Sequence, residues 1–259
     1  MTLSRMALLD GARDPEALEA LIDLGEQVLR TWQPAWSGFL SAPLREEALD
    51  RLTGLSDLQW HSDGGYPGAE RQRLLCRRAD DASEHPSTHQ GLLIEGNFLF
   101  DPLTPKDLHQ ALLSMGVADA DLGDLWVRGD RGGQGICTAH AAAILRGRRG
   151  AVRDVEIHCD ILSLSQLQLP AQRVARTLQT VEASCRLDAI ASAGFGLSRA
   201  KVVAHVKAGR LRLNWGEVRQ PSRDLSVGDR LQLQDRGCVE VLSLTLTKRD
   251  RWRVELRRS

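Results

Sequence analysis

Residues 184–240 carry the side chains with the clearest chemical potential, a group of cations beside a helix cap. Ser198 is placed to cap a helix, and Gly209 follows that helix in the position of a C-terminal glycine. Arg199 and Lys201 then fall in its first turn, where the helix dipole favours anions and not cations. A bound phosphate would offset this repulsion and would use the free backbone N–H groups. The pattern therefore predicts a phosphate-binding surface.

Other elements of the same segment extend this surface. A first helix is predicted over residues 188–193, and Leu211 and Leu213 alternate with polar residues as in a half-buried strand. Any one cation could serve solubility alone, but their concentration favours a shared site for a polyanion. The residues assigned to that site are Arg186, Ser198, Arg199, Lys201, Lys207, Arg210 and Arg212.

The overall charge of zero hides a strong asymmetry along the chain. Residues 181–259 hold 16 Lys and Arg against 9 Asp and Glu, a net charge of +7. Residues 1–180 hold 18 against 25, a net charge of −7. This separation predicts a basic C-terminal part that faces a polyanion, on an acidic body.

Motifs for catalysis and metal binding are incomplete. Ser198 and Lys201 match the S-x-x-K pattern of serine acylases, but the S-D-N and K-T-G elements of that chemistry are absent from the sequence. The five cysteines form no C-x-x-C pair, which argues against a disulfide framework or a zinc knuckle. His85 and His89 would need a helix to share a metal, and Pro86 disfavours one. We expect no catalytic residue, no metal and no cofactor.

The hydrophobic pattern predicts an α+β protein with three domains. Residues 1–80 form a small α+β unit, and residues 81–165 follow the β-α-β-β-α-β order of ferredoxin-like, or RNA-recognition-motif-like, domains. The last strand of that domain is expected at residues 151–159. Its third strand, GQGICTA, has no aromatic residue on which a base could stack. Residues 166–181 are a linker, and residues 182–259 form the basic domain with a C-terminal hairpin.

The basic segment resembles the S4 RNA-binding domain, also called the αL module. The resemblance rests on CRLDAIA, LSRAKVVAHVKAGRLRLN and VGDRLQL in this order. It implies that cations of both helices and the following strand contact folded RNA, mainly through phosphates. It also adds Asn214 to the predicted RNA-binding residues, although this chain has Asn214-Trp215-Gly216 where the family usually has an Asn-Gly turn.

The front of the chain resembles the YlmH family, whose members in cyanobacteria and chloroplasts are called photosystem II S4-domain proteins. The matching elements are SGFLSAPLREE, GGYPGAERQRLL and LTPKDLHQALLSMGVADADLGDLWV, followed by the S4 module. The resemblance implies an RNA-binding protein that associates with the large ribosomal subunit in quality control of stalled nascent chains.

We therefore expect a non-catalytic protein that grips structured ribosomal or transfer RNA, with the large ribosomal subunit as its partner. The acidic N-terminal half would be available to a protein partner. Two alternatives stay open: an RNA-modifying enzyme with its chemistry in the N-terminal half, and an assembly factor linked to photosystem II in which RNA is secondary. No apolar run approaches the roughly 18 residues of a membrane span, and the first residues lack the apolar core of a signal peptide, so we expect a cytoplasmic protein.

Overall fold

The computed structural model describes residues 4–170, 175–233 and 236–259. The chain forms two compact units, Met1–Pro170 and Ala171–Ser259, called unit 1 and unit 2 below. Both contain helices and antiparallel sheets, so the predicted α+β class is confirmed. Among the described residues, no helix is both long and apolar enough to cross a membrane.

Unit 1 begins with three helices and a small sheet. Asp14 starts the long second helix, since its carboxylate accepts a hydrogen bond from the Ala17 N–H at 3.1 Å and Pro15 occupies the first helical position. The elements are α1 Arg5–Leu9, α2 Pro15–Thr31, β1 Ala35–Trp36, α3 Ala42–Leu52, β2 Leu58–Asp63 and β3 Arg73–Arg78. The strands pair in the order β1-β3-β2, and Leu74 and Cys76 of the central strand pack into the core formed with α2.

The rest of unit 1 is a five-stranded antiparallel sheet with two helices. Its elements are β4 Gln90–Glu95, α4 Pro105–Ser114, β5 Leu122–Val127, β6 Gly132–Cys137, α5 Ala139–Leu145, β7 Arg149–Val152 and β8 Val155–Leu162. The strand order is β5-β6-β4-β8-β7. Without the edge strand β7, this is the ferredoxin-like arrangement that the sequence predicted. The division of unit 1 near residue 80 stays a prediction.

The single final strand predicted over residues 151–159 is wrong. The structure has a hairpin there, in which Val152 pairs with Val155 across a turn at Arg153 and Asp154. Arg153 adopts a left-handed backbone conformation with φ +53°. Because the turn contains neither Gly nor Asn, the sequence lacks the usual hairpin signal at this position.

Both faces of the central strand β6 are covered by unit 1 itself. Cys137 belongs to the core beneath the helices, whereas Ile136 packs with Phe39 and Leu167 on the opposite face. Gly123 admits the Phe39 ring, because a Cβ at this position would lie 2.8 Å from a ring carbon. An RNA-recognition motif stacks bases on this second face of its sheet. In unit 1 that face is already occupied by protein.

The carboxylate of Asp124 binds the glycine-rich segment of the N-terminal half of unit 1 to this sheet. Asp124 on β5 accepts hydrogen bonds from the Tyr66 hydroxyl at 2.7 Å, the Glu70 N–H at 2.7 Å and the Arg71 N–H at 2.9 Å. The Tyr66 ring also meets Trp126 edge-on, with 5.8 Å between ring centroids. The GGYPGAER and GDLWV segments are therefore the two sides of one contact.

Arg71 reinforces the same junction from its side chain. Its guanidinium donates to the Leu122 carbonyl oxygen at 2.9 Å and to the Asp119 carboxylate at 2.9 Å. Asp119 in turn contacts His109 at 2.6 Å, which ties α4 into the network. The acidic residues before and within β5 thus stabilise the fold.

The side chain of His89 is fully buried, with 0% of its surface exposed. Its ring meets Trp36 and Phe39 edge-on at centroid distances of 5.6 and 5.2 Å, and its Nε2 atom has no hydrogen-bond partner among the residues that the structure describes. Ser87 and Asp63 both lie beside Nδ1. Burial lowers the pKa of His89. Its partner in the sequence pattern, His85, instead contacts Asp81 at 2.8 Å.

Unit 2 packs two helices on one face of a six-stranded sheet. Its elements are β9 Arg176–Glu182, α6 Leu187–Phe195, α7 Arg199–Lys207, β10 Leu211–Leu213, β11 Gly216–Glu217, β12 Arg230–Leu233, β13 Gly237–Leu246 and β14 Trp252–Arg258. The strand order is β11-β10-β12-β13-β14-β9. Phe195, Val202 and Val206 of the helices fill the core with the leucines and valines of the sheet.

The predicted helices, the strand β10 and the C-terminal hairpin β13–β14 are confirmed in unit 2. The linker assigned to residues 166–181 differs from the structure. Residues 176–181 belong to β9, which pairs with β14 along its full length at the edge of the sheet. An edge strand is half exposed, so its polar residues resemble those of a linker.

We expect Asp124→Asn to destabilise unit 1 by roughly 2–3 kcal/mol, because the charged acceptor of three hydrogen bonds is lost. Urea unfolding followed by tryptophan fluorescence measures this change. Asp154→Asn, at an exposed position in the β7–β8 turn, is the matched control and should have no effect. Equal stability of the two variants would contradict the role of Asp124.

The stability of unit 1 should fall as the pH drops through about 6.5, the ordinary pKa of an unfolded histidine. Burial lowers the pKa of His89 in the folded state, so the unfolded chain binds the proton more readily. Acid therefore stabilises the unfolded state relative to the folded state. Thermal unfolding between pH 7.5 and pH 5 tests this expectation. His89→Gln should flatten the pH dependence, whereas the same change at exposed His140 should leave it unaltered.

Candidate nucleic-acid interface

Arg186 stands immediately before α6 and is bound to a carboxylate of the same unit. Its guanidinium donates to both oxygens of Asp188, at 3.1 and 3.2 Å. The Asp188 side chain is only 10% exposed, whereas that of Arg186 is 45% exposed. A bidentate pair with a buried carboxylate is geometrically specific. Arg186 therefore presents a surface cation whose charge is already largely balanced.

Ser198 caps α7, as the sequence predicted. Its hydroxyl oxygen accepts a hydrogen bond from the Lys201 N–H at 3.4 Å. Arg199, the first helical residue, reaches back to Glu182 at the end of β9, with 3.6 Å between the charged atoms. The repulsion expected between Arg199 and the helix dipole is thus partly relieved by a carboxylate of the chain.

Lys201, Lys207 and Arg210 form the unpaired part of the predicted surface. All three are exposed, and none of them makes an ion pair within residues 175–233 and 236–259. At 100° per residue, Ala200 and Ala204 occupy the exposed centre of α7, opposite the buried Val202 and Val206. Lys201 and Lys207 then lie on the two flanks of this small-residue side.

This arrangement leaves room for a close approach to α7. A nucleic-acid backbone could lie over Ala200 and Ala204 with a cation on each side, since no long side chain stands at the centre. The sequence reasoning missed these two alanines. Their periodicity relative to Val202 and Val206 is the signal that could have found them.

Arg212 lies on the other face of the sheet. Leu211 and Leu213 are buried with α6 and α7, so the intervening Arg212 points away from the helices. Its neighbours across the strands are Glu217 on β11 and Gln232 on β12. The structure thus separates Arg212 from the cations of α7.

Asn214 builds a turn with its side chain. Its amide oxygen accepts from the Arg230 N–H at 2.8 Å, and its amide nitrogen donates to Asp229 at 2.7 Å. Asn214 and Trp215 have φ values of +47° and +67°, which gives the two-residue type I′ turn between β10 and β11. Trp215 therefore occupies the position that glycine usually takes.

Three side chains with nucleophilic potential, those of Ser198, Cys137 and Cys159, are in structural or buried positions. The Ser198 hydroxyl is the helix cap, and burial raises the pKa of Cys137 to about 12 and that of Cys159 to about 11. Thiols with such pKa values hold almost no thiolate at neutral pH. Across the described residues, no group of three His, Cys, Asp or Glu side chains could hold a metal ion.

The fold and the exposed cations of unit 2 define an S4-domain protein. The S4 domain model matches residues 185–231, and the YlmH N-terminal domain model matches residues 13–81. These two matches confirm the predicted resemblance to the YlmH family.

A curated relative and a solved structure are also similar to this chain. The Ribosome-associated protein quality control protein P2 of Bacillus subtilis (strain 168) is 28% identical over 218 residues, which cover 83% of this chain and 84% of the relative. The structure of the cell division protein ylmH from Streptococcus pneumoniae covers 60% of this chain and 94% of its own, with 14% identity and a TM-score of 0.47.

Substitutions at Ser198 should separate capping from ligand binding. Ser198→Ala removes the acceptor of the Lys201 N–H and should destabilise unit 2 by about 1 kcal/mol. Ser198→Asp preserves the cap and suits the helix dipole, so stability should be retained. The added anion should nevertheless weaken the binding of bulk transfer RNA, measured by fluorescence anisotropy. Tight binding by the Asp variant would argue against phosphates near this helix start.

Proposed function

We propose that this protein is a non-catalytic RNA-binding protein that associates with the ribosome through unit 2. The observation that carries the proposal is the exposed set of Lys201, Lys207 and Arg210 on and just after α7 in an S4 domain, which forms no ion pair with the described residues. Phosphates are the natural counterions of such a surface, and each replaced counterion contributes to affinity. The name of the Bacillus subtilis relative supports the ribosome as the source of the RNA.

The name of the same relative and the resemblance to the YlmH family support a finer assignment. We propose that the RNA is folded ribosomal or transfer RNA at the large subunit, and that the process is quality control of translation in the cytoplasm. A contact based on phosphates selects RNA by shape more than by sequence. The covered sheet of unit 1 supports this assignment, because it offers no surface for stacking single-stranded bases.

The cations of the predicted site contribute unequally under this proposal. Lys201, Lys207 and Arg210 can neutralise phosphates without losing another partner. Arg186 and Arg199 must exchange the carboxylates of Asp188 and Glu182 for phosphates, so part of their attraction is offset. Arg212 would contact RNA only if the nucleic acid reaches the opposite face of the sheet.

Reversing two charges on α7 should abolish most of the binding without unfolding the protein. Lys201→Glu with Lys207→Glu removes two phosphate contacts, so the log–log salt dependence of binding should flatten by about two units. Affinity for bulk transfer RNA at about 0.1 M salt should fall roughly 10- to 100-fold. Lys106→Glu, on the exposed side of α4 in unit 1, is the control and should bind as the parent does. An unchanged salt slope in the double variant would refute the role of α7.

Co-sedimentation separates RNA binding from the alternatives. Under the proposal, the protein co-sediments with purified ribosomal subunits, the α7 double variant does not, and RNase treatment releases the parent protein. Co-sedimentation that survives both changes would instead indicate a protein contact made by the acidic unit 1. Nucleoside profiles of RNA incubated with the protein should stay constant, whereas a new modified nucleoside would establish an enzyme.

A further inference from the structure

The β13–β14 hairpin ends in a well-fixed turn that projects cations. The Thr247 N–H donates to the Arg251 carbonyl oxygen at 2.7 Å, and the Asp250 N–H donates to the Thr247 carbonyl oxygen at 3.1 Å. The Arg251 N–H also donates to the Thr247 hydroxyl at 3.2 Å. Asp250 completes the turn in a left-handed conformation with φ +50°. The backbone that carries these side chains is therefore held by the turn itself.

An open groove of about 800 Å³ lies beside this turn. Its polar lining is dominated by cations, namely Lys248, Arg249, Arg251 and Arg253. Val181 and Leu246 add an apolar part, and they are 51% and 56% exposed. Four cations around exposed aliphatic surface form a site for an extended anion with apolar parts. A solubilising surface would not need the groove.

These four cations form no ion pair with the part of the chain that the structure describes, unlike Arg257 further along the same strand. Arg257 lies on β14 with the same side-chain parity as Arg253, but it is bound to Glu240 at 2.5 Å. Glu240 also lies 3.8 Å from Arg230. Arg230 and Arg257 thus share the carboxylate of Glu240, whereas the cations at the hairpin end have no such partner among the described residues.

The groove also lies close to the start of α7. Val181 lines the groove, and the next residue, Glu182, binds Arg199 at 3.6 Å. Because successive strand residues point to opposite faces, the groove and α7 flank the same end of β9 from two sides. The groove is outside residues 185–231, the stretch that matches the S4 domain.

We propose that the hairpin groove is a second RNA-binding site, which holds the sugar-phosphate backbone of folded RNA beside the S4 surface. The guanidinium groups of Arg249, Arg251 and Arg253 suit phosphate oxygens by their fork geometry. Riboses would pack on Val181 and Leu246. This inference deepens the proposed function and rests on it, since one RNA would cover both surfaces.

The test replaces all four cations by glutamine: Lys248→Gln, Arg249→Gln, Arg251→Gln and Arg253→Gln. These side chains are exposed, and the backbone hydrogen bonds of the turn remain, so the thermal unfolding of unit 2 should not change. Binding of labelled bulk transfer RNA should lose about two to four units of log–log salt slope, close to one per lost phosphate contact. Arg257→Gln, on the same strand but paired with Glu240, is the matched control and should keep the parental slope.

The hairpin variant is compared with the α7 double variant, Lys201→Glu with Lys207→Glu. Failure of the second site and failure of the proposed function then give different results. A hairpin variant with less than one unit of slope change overturns the second site, while loss of binding in the α7 variant still supports the S4 surface. Loss only in the hairpin variant would overturn the α7 surface and keep the groove. Loss in both, with the combined variant losing the product of the two affinity factors, supports two contacts on one RNA.

Competition identifies the occupant. Polyglutamate is added as the competitor, at a charge concentration equal to that of the RNA phosphates. If the groove holds RNA, polyglutamate should compete weakly and equally with the parent and the hairpin variant. If polyglutamate displaces the transfer RNA more effectively from the parent than from the hairpin variant, the groove binds acidic polypeptide, and the proposal of a second RNA site is overturned.

Discussion

The carboxylate of Asp124 is the contact on which the organisation of unit 1 depends. It gathers Tyr66 and two backbone N–H groups of the glycine-rich segment onto β5. With that segment in place, the second face of the ferredoxin-like sheet is covered by Phe39, Tyr66 and Leu167. The contacts of Asp124 therefore go together with a sheet face that is covered by protein and cannot stack bases. In our proposal, RNA binding falls to unit 2 for this reason.

In unit 2, the number of cations matters less for RNA binding than how many of them are not already paired with a carboxylate. Arg186 and Arg199 are paired with Asp188 and Glu182, whereas Lys201 and Lys207 on α7 and Arg210 just after it form no ion pair with the residues that the structure describes. A cation that is already paired gains less from a phosphate, because it gives up an existing attraction. The net charge of +7 over residues 181–259 therefore does not show which individual cations are available to a phosphate. The four cations of the hairpin groove, which form no ion pair among the described residues, are the clearest example of available cations.

Local features of the sequence predicted most of the elements. Ser198 was predicted as a helix cap, and its hydroxyl oxygen accepts the expected backbone hydrogen bond. Segments without a local signal were predicted less well. The β7–β8 turn at Arg153 contains no glycine, and the sequence of the edge strand β9 shows no clear alternation of apolar and polar residues. Of the predicted site, the cap at Ser198 and the exposed cations of α7 were accessible from periodicity, because a helix repeats within four residues.

The sequence by itself determined the α+β class, the resemblance to the YlmH family, the basic character of the C-terminal part and the helix that carries Lys201 and Lys207. Tertiary structure alone decided which cations are paired, on which face of the sheet Arg212 lies, and that Asn214 stabilises a turn. The physical reason is range: caps and periodicity involve neighbours along the chain, whereas ion pairs and buried contacts join residues far apart. Arg199 meets Glu182 from another element, and Tyr66 reaches Asp124 across 58 positions. Such pairs are fixed by packing, which no local pattern encodes.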